Sequence, residues 1–195
     1  MFIQTEETPN PATLKFLPGL VVIPMGTVDL RKGDNIDKAP LAATLFELDG
    51  VEAVFFGYDF ITVTKNADMP WPHLKPAVLG AIMEHFMAGM PVMLEDAEIF
   101  DTPDGEEFFD EADTEIVTTI KELLETRVRP AVAQDGGDIT FHGFKDGTVY
   151  LNMRGACAGC PSSTATLKHG IQNLLRHFIP QVQSVEAYGQ QPSMY

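Results

Sequence analysis

A run of acidic residues in the middle of the chain is the feature that most limits how it can fold. Between Glu95 and Glu115 there are eleven acids and no bases, together with one proline and one glycine. Such a segment repels itself and has little to bury, so it stays extended and separates what lies on either side. The sequence therefore predicts two small domains, residues 1–94 and 113–195, joined by an acidic linker over residues 95–112.

The acidic run has a second interpretation, as a loop that caps a neighbouring domain. Three phenylalanines interrupt it, Phe100, Phe108 and Phe109. An apolar ring of this size can anchor a segment to a nearby surface, because burying it stabilises the folded chain. Both a linker and a capping loop therefore stay open from the sequence.

Size and charge narrow the classes of partner. The chain has 195 residues, 45% of them hydrophobic, which is enough for two domains that each have a modest core. Its net charge is −15, although residues 116–195 are nearly neutral, with 6 acids against 7 bases. An acidic chain without a basic stripe repels phosphate backbones, so we expect no nucleic-acid partner.

The distribution of apolar residues predicts the compartment. No run of eighteen apolar residues occurs, so we expect no membrane partner. The chain also opens without a basic n-region, an apolar h-region or an Arg-rich amphipathic presequence. These observations predict a cytoplasmic protein of bacterial type, with a processed organellar form as the alternative.

Hydrophobic periodicity predicts a small α/β unit in the first domain. Strand-like runs form two predicted hairpins, Phe2–Thr5 with Thr13–Leu17 and Val51–Phe56 with Phe60–Lys65. Helical spacing predicts a short helix after Pro40 and a longer one over Leu74–Phe86 that ends near Gly89. Residues 19–38 have no sustained period, so we expect mostly loop there, with a short strand at Leu20–Ile23.

The second domain is predicted to run helix, strand, strand, cysteine turn, helix, strand. The predicted elements are a helix from Ile116 that stops at Pro130, a turn over residues 134–138, a hairpin of Ile139–Phe144 with Gly147–Met153, a helix from about Pro161, and a strand over Val182–Tyr188. Each domain is thus a small sheet with packed helices, and the fold class is α/β, of the α+β kind.

The two cysteines of the chain, Cys157 and Cys160, fall on the predicted turn between a strand and a helix. Unpaired N–H groups and the positive end of the helix dipole favour thiolate over thiol at such a place. Thiolates are both nucleophiles and ligands for soft metals. Gly155 and Gly159 flank the first cysteine, and we expect them to leave room for backbone to approach whatever the sulfurs hold.

Four interpretations of the cysteines compete. An inert pair is a poor fit to a glycine-flanked helix start. A thioredoxin-like dithiol needs a parallel β–α–β setting, whereas the preceding strand follows an antiparallel hairpin and no tryptophan flanks the motif. A zinc site could add His169 and His177, although their spacing differs from a zinc finger and both are expected to face solvent. An iron–sulfur cluster usually takes four thiolates, so two chains would have to share it.

Two motifs carry a family resemblance. The residues Asp135-Gly136-Gly137-Asp138-Ile139, followed by Gly155-Ala156-Cys157-Ala158-Gly159-Cys160-Pro161-Ser162-Ser163, resemble the C-terminal domain of NifU and of the Nfu family of iron–sulfur scaffold and carrier proteins. The runs Thr5-Glu6-Glu7-Thr8-Pro9-Asn10-Pro11 and Leu14-Lys15-Phe16 resemble the Nfu N-terminal domain. The likeness covers nearly the whole chain.

The resemblance implies a function that the residues alone leave open. It implies that Cys157 and Cys160 ligate a [4Fe-4S] cluster shared by two subunits, with [2Fe-2S] as the alternative. The partners implied are a second copy of the chain when loaded, upstream cluster donors, and apo iron–sulfur clients that the N-terminal domain helps to engage. Such a protein is a carrier and no enzyme. The rival from another class is a thioredoxin-like dithiol oxidoreductase using the same cysteines.

Overall fold

The structure of the protein is a computed structural model that describes residues 1–94, 107–158 and 161–188, without the side chains of residues 161–163. The chain divides into two compact units, Met1–Asp101 and Thr102–Tyr195. Each unit contains a β-sheet and α-helices, which confirms the predicted α/β class.

An antiparallel sheet of five strands forms the first unit. Its strands are β1 (Gln4–Glu7), β2 (Thr13–Leu17), β3 (Val28–Arg31), β4 (Val51–Phe56) and β5 (Ile61–Lys65). Their order across the sheet is β1-β2-β5-β4-β3. Both predicted hairpins are confirmed, since β1 pairs with β2 and β4 pairs with β5, each antiparallel.

The prediction for residues 19–38 was wrong in part. Strand β3 lies inside this stretch, where Val28 and Leu30 are buried and alternate with outward residues against β4. Leu20–Ile23 forms no strand, although Val22 and Ile23 are buried as packed loop residues. Four residues are too few for a clear period, and the pairing partner of β3 lies about twenty residues further along the chain.

Two helices complete the first unit, as the sequence predicted. Helix α1 spans Pro40–Phe46 and helix α2 spans Trp71–Met87. Their buried residues Leu41, Leu45 and Ile82 pack in one core with the sheet.

The second unit has a three-stranded sheet. Strand β6 (Gly137–Lys145) pairs antiparallel with β7 (Thr148–Gly155), which confirms the hairpin, and Asp146 and Gly147 turn it with φ of 50° and 77°. Positive φ at both residues is what a tight two-residue hairpin needs. Strand β8 (Ser184–Ala187) is the predicted third strand, on the other side of β7.

The pairing of β7 with β8 is parallel, and helix α5 (Pro161–Phe178) connects them. The turn that begins at Gly155 and contains Cys157, called the cysteine turn below, therefore lies at the first junction of a parallel β–α–β unit. The sequence argument against a thioredoxin-like site assumed that no such unit was present, and that assumption was wrong. A preceding antiparallel hairpin does not prevent the next connection from crossing over, because β7 has two edges.

A helix of mixed type precedes the sheet of this unit. It runs as α3 (Thr114–Leu123), a π-helical turn (Leu124–Val128) and α4 (Arg129–Gln134), so the prediction that it stops at Pro130 was wrong. The Arg129 N–H donates to the Leu124 carbonyl, five residues back, which displaces the ladder just before the proline. Pro130 has no N–H to donate, and it follows directly after the turn in which the helical hydrogen bonds have changed from a four-residue to a five-residue spacing.

Among the helices of residues 1–94, 107–158 and 161–188, none is both long enough and apolar enough to cross a membrane.

Part of the acidic run packs against the second unit. The Phe108 N–H donates to the His142 carbonyl at 3.2 Å, and the Phe144 N–H donates to the Phe108 carbonyl at 2.9 Å. The Phe108 ring covers Gly143, where an added Cβ would lie 2.4 Å from it. Residues 107–110 therefore line the free edge of β6, as the capping interpretation expected of Phe108, whereas Phe100 lies outside the described residues.

We propose that the second domain includes Phe108, rather than starting at residue 113, and Phe108→Ala tests this. The change should cost the second unit about 2 kcal/mol, because the ring buries apolar surface against it. Urea unfolding followed by far-UV circular dichroism should show an earlier transition. Fluorescence of the single tryptophan, Trp71 of helix α2, should report an unchanged first unit. The control Phe2→Ala removes a ring that is 85% exposed and should change neither signal.

Candidate metal centre

Cys157 lies in the turn between β7 and α5, as the sequence predicted. Gly155 begins the turn with φ of 66°, and the Ala158 N–H donates to its carbonyl at 3.1 Å. Gly155 is thus needed for a backbone conformation that side chains disfavour. Cys160 and Gly159 lie outside the described residues.

Two hydrogen bonds tie the cysteine turn to its surroundings. The Ala156 N–H donates to the Gly136 carbonyl at 3.1 Å, which joins the turn to the one that precedes β6. The buried Thr164 hydroxyl, in the first turn of α5, donates to the Cys157 carbonyl at 3.0 Å. The backbone of Cys157 is therefore held from both sides.

Gly137 makes the close approach to the sulfur. A Cβ added to Gly137 would lie 2.6 Å from the Cys157 Sγ and 2.7 Å from the Arg154 carbonyl oxygen, so only glycine fits there. The sequence interpretation treated Gly137 only as part of a turn and expected the close approach at Gly155 and Gly159. The one available signal was a second glycine directly before a strand, where a side chain would be usual.

The environment of Cys157 opposes ionisation. The residue is 6% exposed, and burial, with the nearby charges of Asp135 and Asp138, raises the pKa of the Cys157 thiol to about 12. The expectation that the helix start would favour the thiolate was therefore wrong for Cys157. Burial and two carboxylates together outweigh a partial positive charge at the end of a helix.

A partly buried ion pair, with Asp138 as its buried member, adjoins this contact. The Arg129 Nε and Nη2 atoms donate to the two carboxylate oxygens of Asp138 at 2.9 and 3.0 Å, and Nη1 donates to Glu125 at 2.7 Å. Asp138 is 5% exposed and also accepts the N–H of Ile139 at 2.8 Å. The hydrogen bond to Asp138 raises the pKa of the Arg129 guanidinium.

The zinc interpretation gains no support from the described residues. His169 and His177 are exposed on α5, as expected. Within residues 1–94, 107–158 and 161–188, no three His, Cys, Asp or Glu side chains are grouped so that they could hold a metal ion.

Two family models match the chain. The model of the scaffold protein Nfu/NifU N terminal matches residues 3–89, and that of the NifU-like domain matches residues 120–186. With the relatives described next, these matches show that the chain belongs to the Nfu family of iron–sulfur cluster scaffold proteins.

The relatives include two proteins named NFU1 iron-sulfur cluster scaffold homolog, mitochondrial. Those of Drosophila ananassae and Homo sapiens are each 50% identical over 187 residues, which is 95% of this chain. The chain spans 64% of the length of the first and 71% of the second. A solved NifU-like protein from Saccharomyces cerevisiae is 27% identical, with a TM-score of 0.46, over 49% of this chain and 87% of that one.

The raised pKa of Cys157 predicts how the metal-free thiol reacts. In Cys160→Ser, Cys157 is the one remaining thiol, and its alkylation by iodoacetamide should rise about tenfold per pH unit from about pH 7 to about pH 10. In urea the rate should level off near the ordinary pKa of 9.0. Because the folded pKa lies above the unfolded one, stability should also fall as the pH rises from 9.0 towards about 12. A folded-state plateau near neutral pH would contradict this.

The contact at Gly137 predicts the effect of a single methyl group. Gly137→Ala should lower the amount of cluster retained after anaerobic reconstitution, because the Cβ would displace the Cys157 sulfur. The matched control is Gly170→Ala, at a position in α5 with nothing within 4 Å of an added Cβ. That control should retain cluster fully and raise stability by about 0.5–1 kcal/mol, as alanine does for glycine within a helix. Equal retention in both variants would show that the contact has no role.

Proposed function

We propose that this chain carries an iron–sulfur cluster on Cys157 and Cys160 and passes it to apo-proteins. The observation that carries the proposal is the placement of Cys157: its carbonyl accepts from Thr164, its neighbour Ala156 donates to Gly136, and its sulfur lies close to Gly137. Membership of a scaffold family supports the choice of cargo.

The number of thiols sets the proposed assembly. The chain has two cysteines, and a [4Fe-4S] cluster usually takes four thiolate ligands. Two chains would therefore share one cluster, and loading would drive dimerisation by mass action. A [2Fe-2S] cluster has the same four-ligand requirement, so it is the alternative cargo.

Transfer would proceed by ligand exchange rather than by catalytic turnover. For each ligand, one bond from iron to a carrier sulfur breaks and one bond from iron to a client sulfur forms. The proton that the client thiol loses balances the one that the carrier thiol regains. Since each chain contributes only two such bonds, exchange needs no unfolding of the carrier. On this proposal the chain is a binding protein and no enzyme.

The partners and the compartment follow from the same proposal. Upstream donors would load the site, and the first unit would help to engage apo iron–sulfur clients. The proposed compartment is the cytoplasm, with an organelle as the alternative, since the relatives described above are named mitochondrial. Fractionation of the source cells, followed by detection of the chain, would decide between the two compartments.

The dithiol oxidoreductase is retained as the second candidate because α5 and the parallel strands around it provide the β–α–β setting that such a site needs. Disulfide exchange and metal ligation both require the thiolate, so the raised pKa of Cys157 does not separate the two functions, and family membership favours the carrier. Anaerobic reconstitution followed by iron and sulfide counting separates the two functions.

Stoichiometry gives the decisive prediction. Native mass spectrometry without oxygen should show a dimer with about four irons and four sulfides, as one shared cluster requires. Cys157→Ser and Cys160→Ser should each abolish both the cluster and the cluster-dependent dimer, and Gly170→Ala should change neither. The oxidoreductase instead predicts a colourless monomer with an internal disulfide. A fully loaded monomer would exclude the carrier proposal, because one chain has only two cysteines.

A further inference from the structure

The π-helical turn places Arg129 beside the start of β6. The Arg129 N–H closes this turn on the Leu124 carbonyl, so a π-helical residue is inserted directly before the arginine. One additional residue in a helical turn rotates everything that follows by roughly 100°. From this position the guanidinium reaches Asp138 with two parallel hydrogen bonds.

Asp138 connects Arg129 to the residues that contact the cysteine turn. It directly follows Gly137, which lies so close to Cys157 that an added Cβ would be 2.6 Å from the sulfur. The residue before that, Gly136, accepts the hydrogen bond from the Ala156 N–H. Three successive residues at the start of β6 therefore make these contacts. Gly136 bonds to the backbone of the cysteine turn, Gly137 lies close to the sulfur, and Asp138 binds the arginine.

The geometry of the pair determines how firmly Asp138 is held. Two donors in a planar fork fix both the position and the rotation of a carboxylate, which a single ammonium group cannot do. Asp138 is buried, so loss of its partner would leave a charge that must move towards water. Glu125 is 65% exposed, so its bond to the same arginine should contribute little.

We propose that Arg129 is a positioning residue, which acts through Asp138 to hold Gly137 and the cysteine turn in the arrangement that retains the cluster. The effect of Arg129 on cluster retention rests on the proposed function. Its effect on the cysteine turn of the protein without cluster does not, and the two effects are measured separately.

The first measurement uses the full chain without cluster. Amide hydrogen exchange is compared at Ala156, whose N–H bonds to Gly136, and at Leu175, which is buried within α5. Arg129→Gln should speed exchange at Ala156 on the order of tenfold while Leu175 stays protected, because a local opening exposes only nearby amides. Arg129→Lys, which keeps the charge but loses the fork, should lie between the two. The control Glu125→Gln should match the unaltered protein.

The second measurement uses the loaded protein. Cluster loss to a chelator, followed by the visible absorbance of the cluster, should be on the order of tenfold faster in Arg129→Gln, as is common when a group that orients a metal ligand is lost. The double variant with Asp138→Asn should lose cluster no faster than the single variant, because both changes break the same pair. Should Arg129→Gln fail to fold, Arg129→Lys and Asp138→Asn replace it in both measurements.

Two results would overturn the proposal. Exchange that rises equally at Ala156 and Leu175 would show ordinary destabilisation of the whole unit, and unchanged exchange at Ala156 would show that the pair does not hold the turn. Failure of the unaltered protein to load any cluster would refute the proposed function instead. The exchange at Ala156 would still decide whether Arg129 positions the turn.

Discussion

The register of β6 against β7 is the constraint on which the candidate centre depends. It places Gly137 opposite Gly155, so two turns far apart in sequence meet at one end of the sheet. The two-residue turn sets the pairing at the other end, where Lys145 lies opposite Thr148. A shift of one residue would turn every side chain of β6 to the other face and move Gly137 away from the cysteine.

A bulge between these ends is part of the same register. The pairing shifts between Phe141 and Gly143, where His142 is the additional residue. If His142 were paired regularly instead of bulging, Gly137 would lie opposite Ala156 instead of Gly155. The acidic run contacts this point, because Phe108 bonds to the His142 carbonyl and covers Gly143. Phe108, which the sequence predicted to lie in a linker, thus helps to support β6, the strand that contains Gly137.

The electrostatics of the centre oppose ionisation of Cys157. The Cys157 thiol is buried and its pKa is raised, and the nearby buried Asp138 is paired with Arg129. Metal ligation requires the thiolate, so binding must release a proton from this site. The parallel β–α–β connection by itself serves several chemistries, and therefore the family, rather than the topology, supports the carrier over the oxidoreductase.

The sequence by itself determined whatever depends on neighbours along the chain. The period of two predicted β6 and β7, the helical spacing predicted α5, and the spacing of the two cysteines with their glycines indicated both the turn and the family. Tertiary structure alone decided the rest. Strand β3 needs β4 as its partner, the helix continues past Pro130 after a π-helical turn, and β8 pairs parallel because a free edge of β7 was available. The contact of Gly137 with the sulfur and the pKa of Cys157 belong here too, because both depend on groups about twenty residues away, which only folding brings within reach.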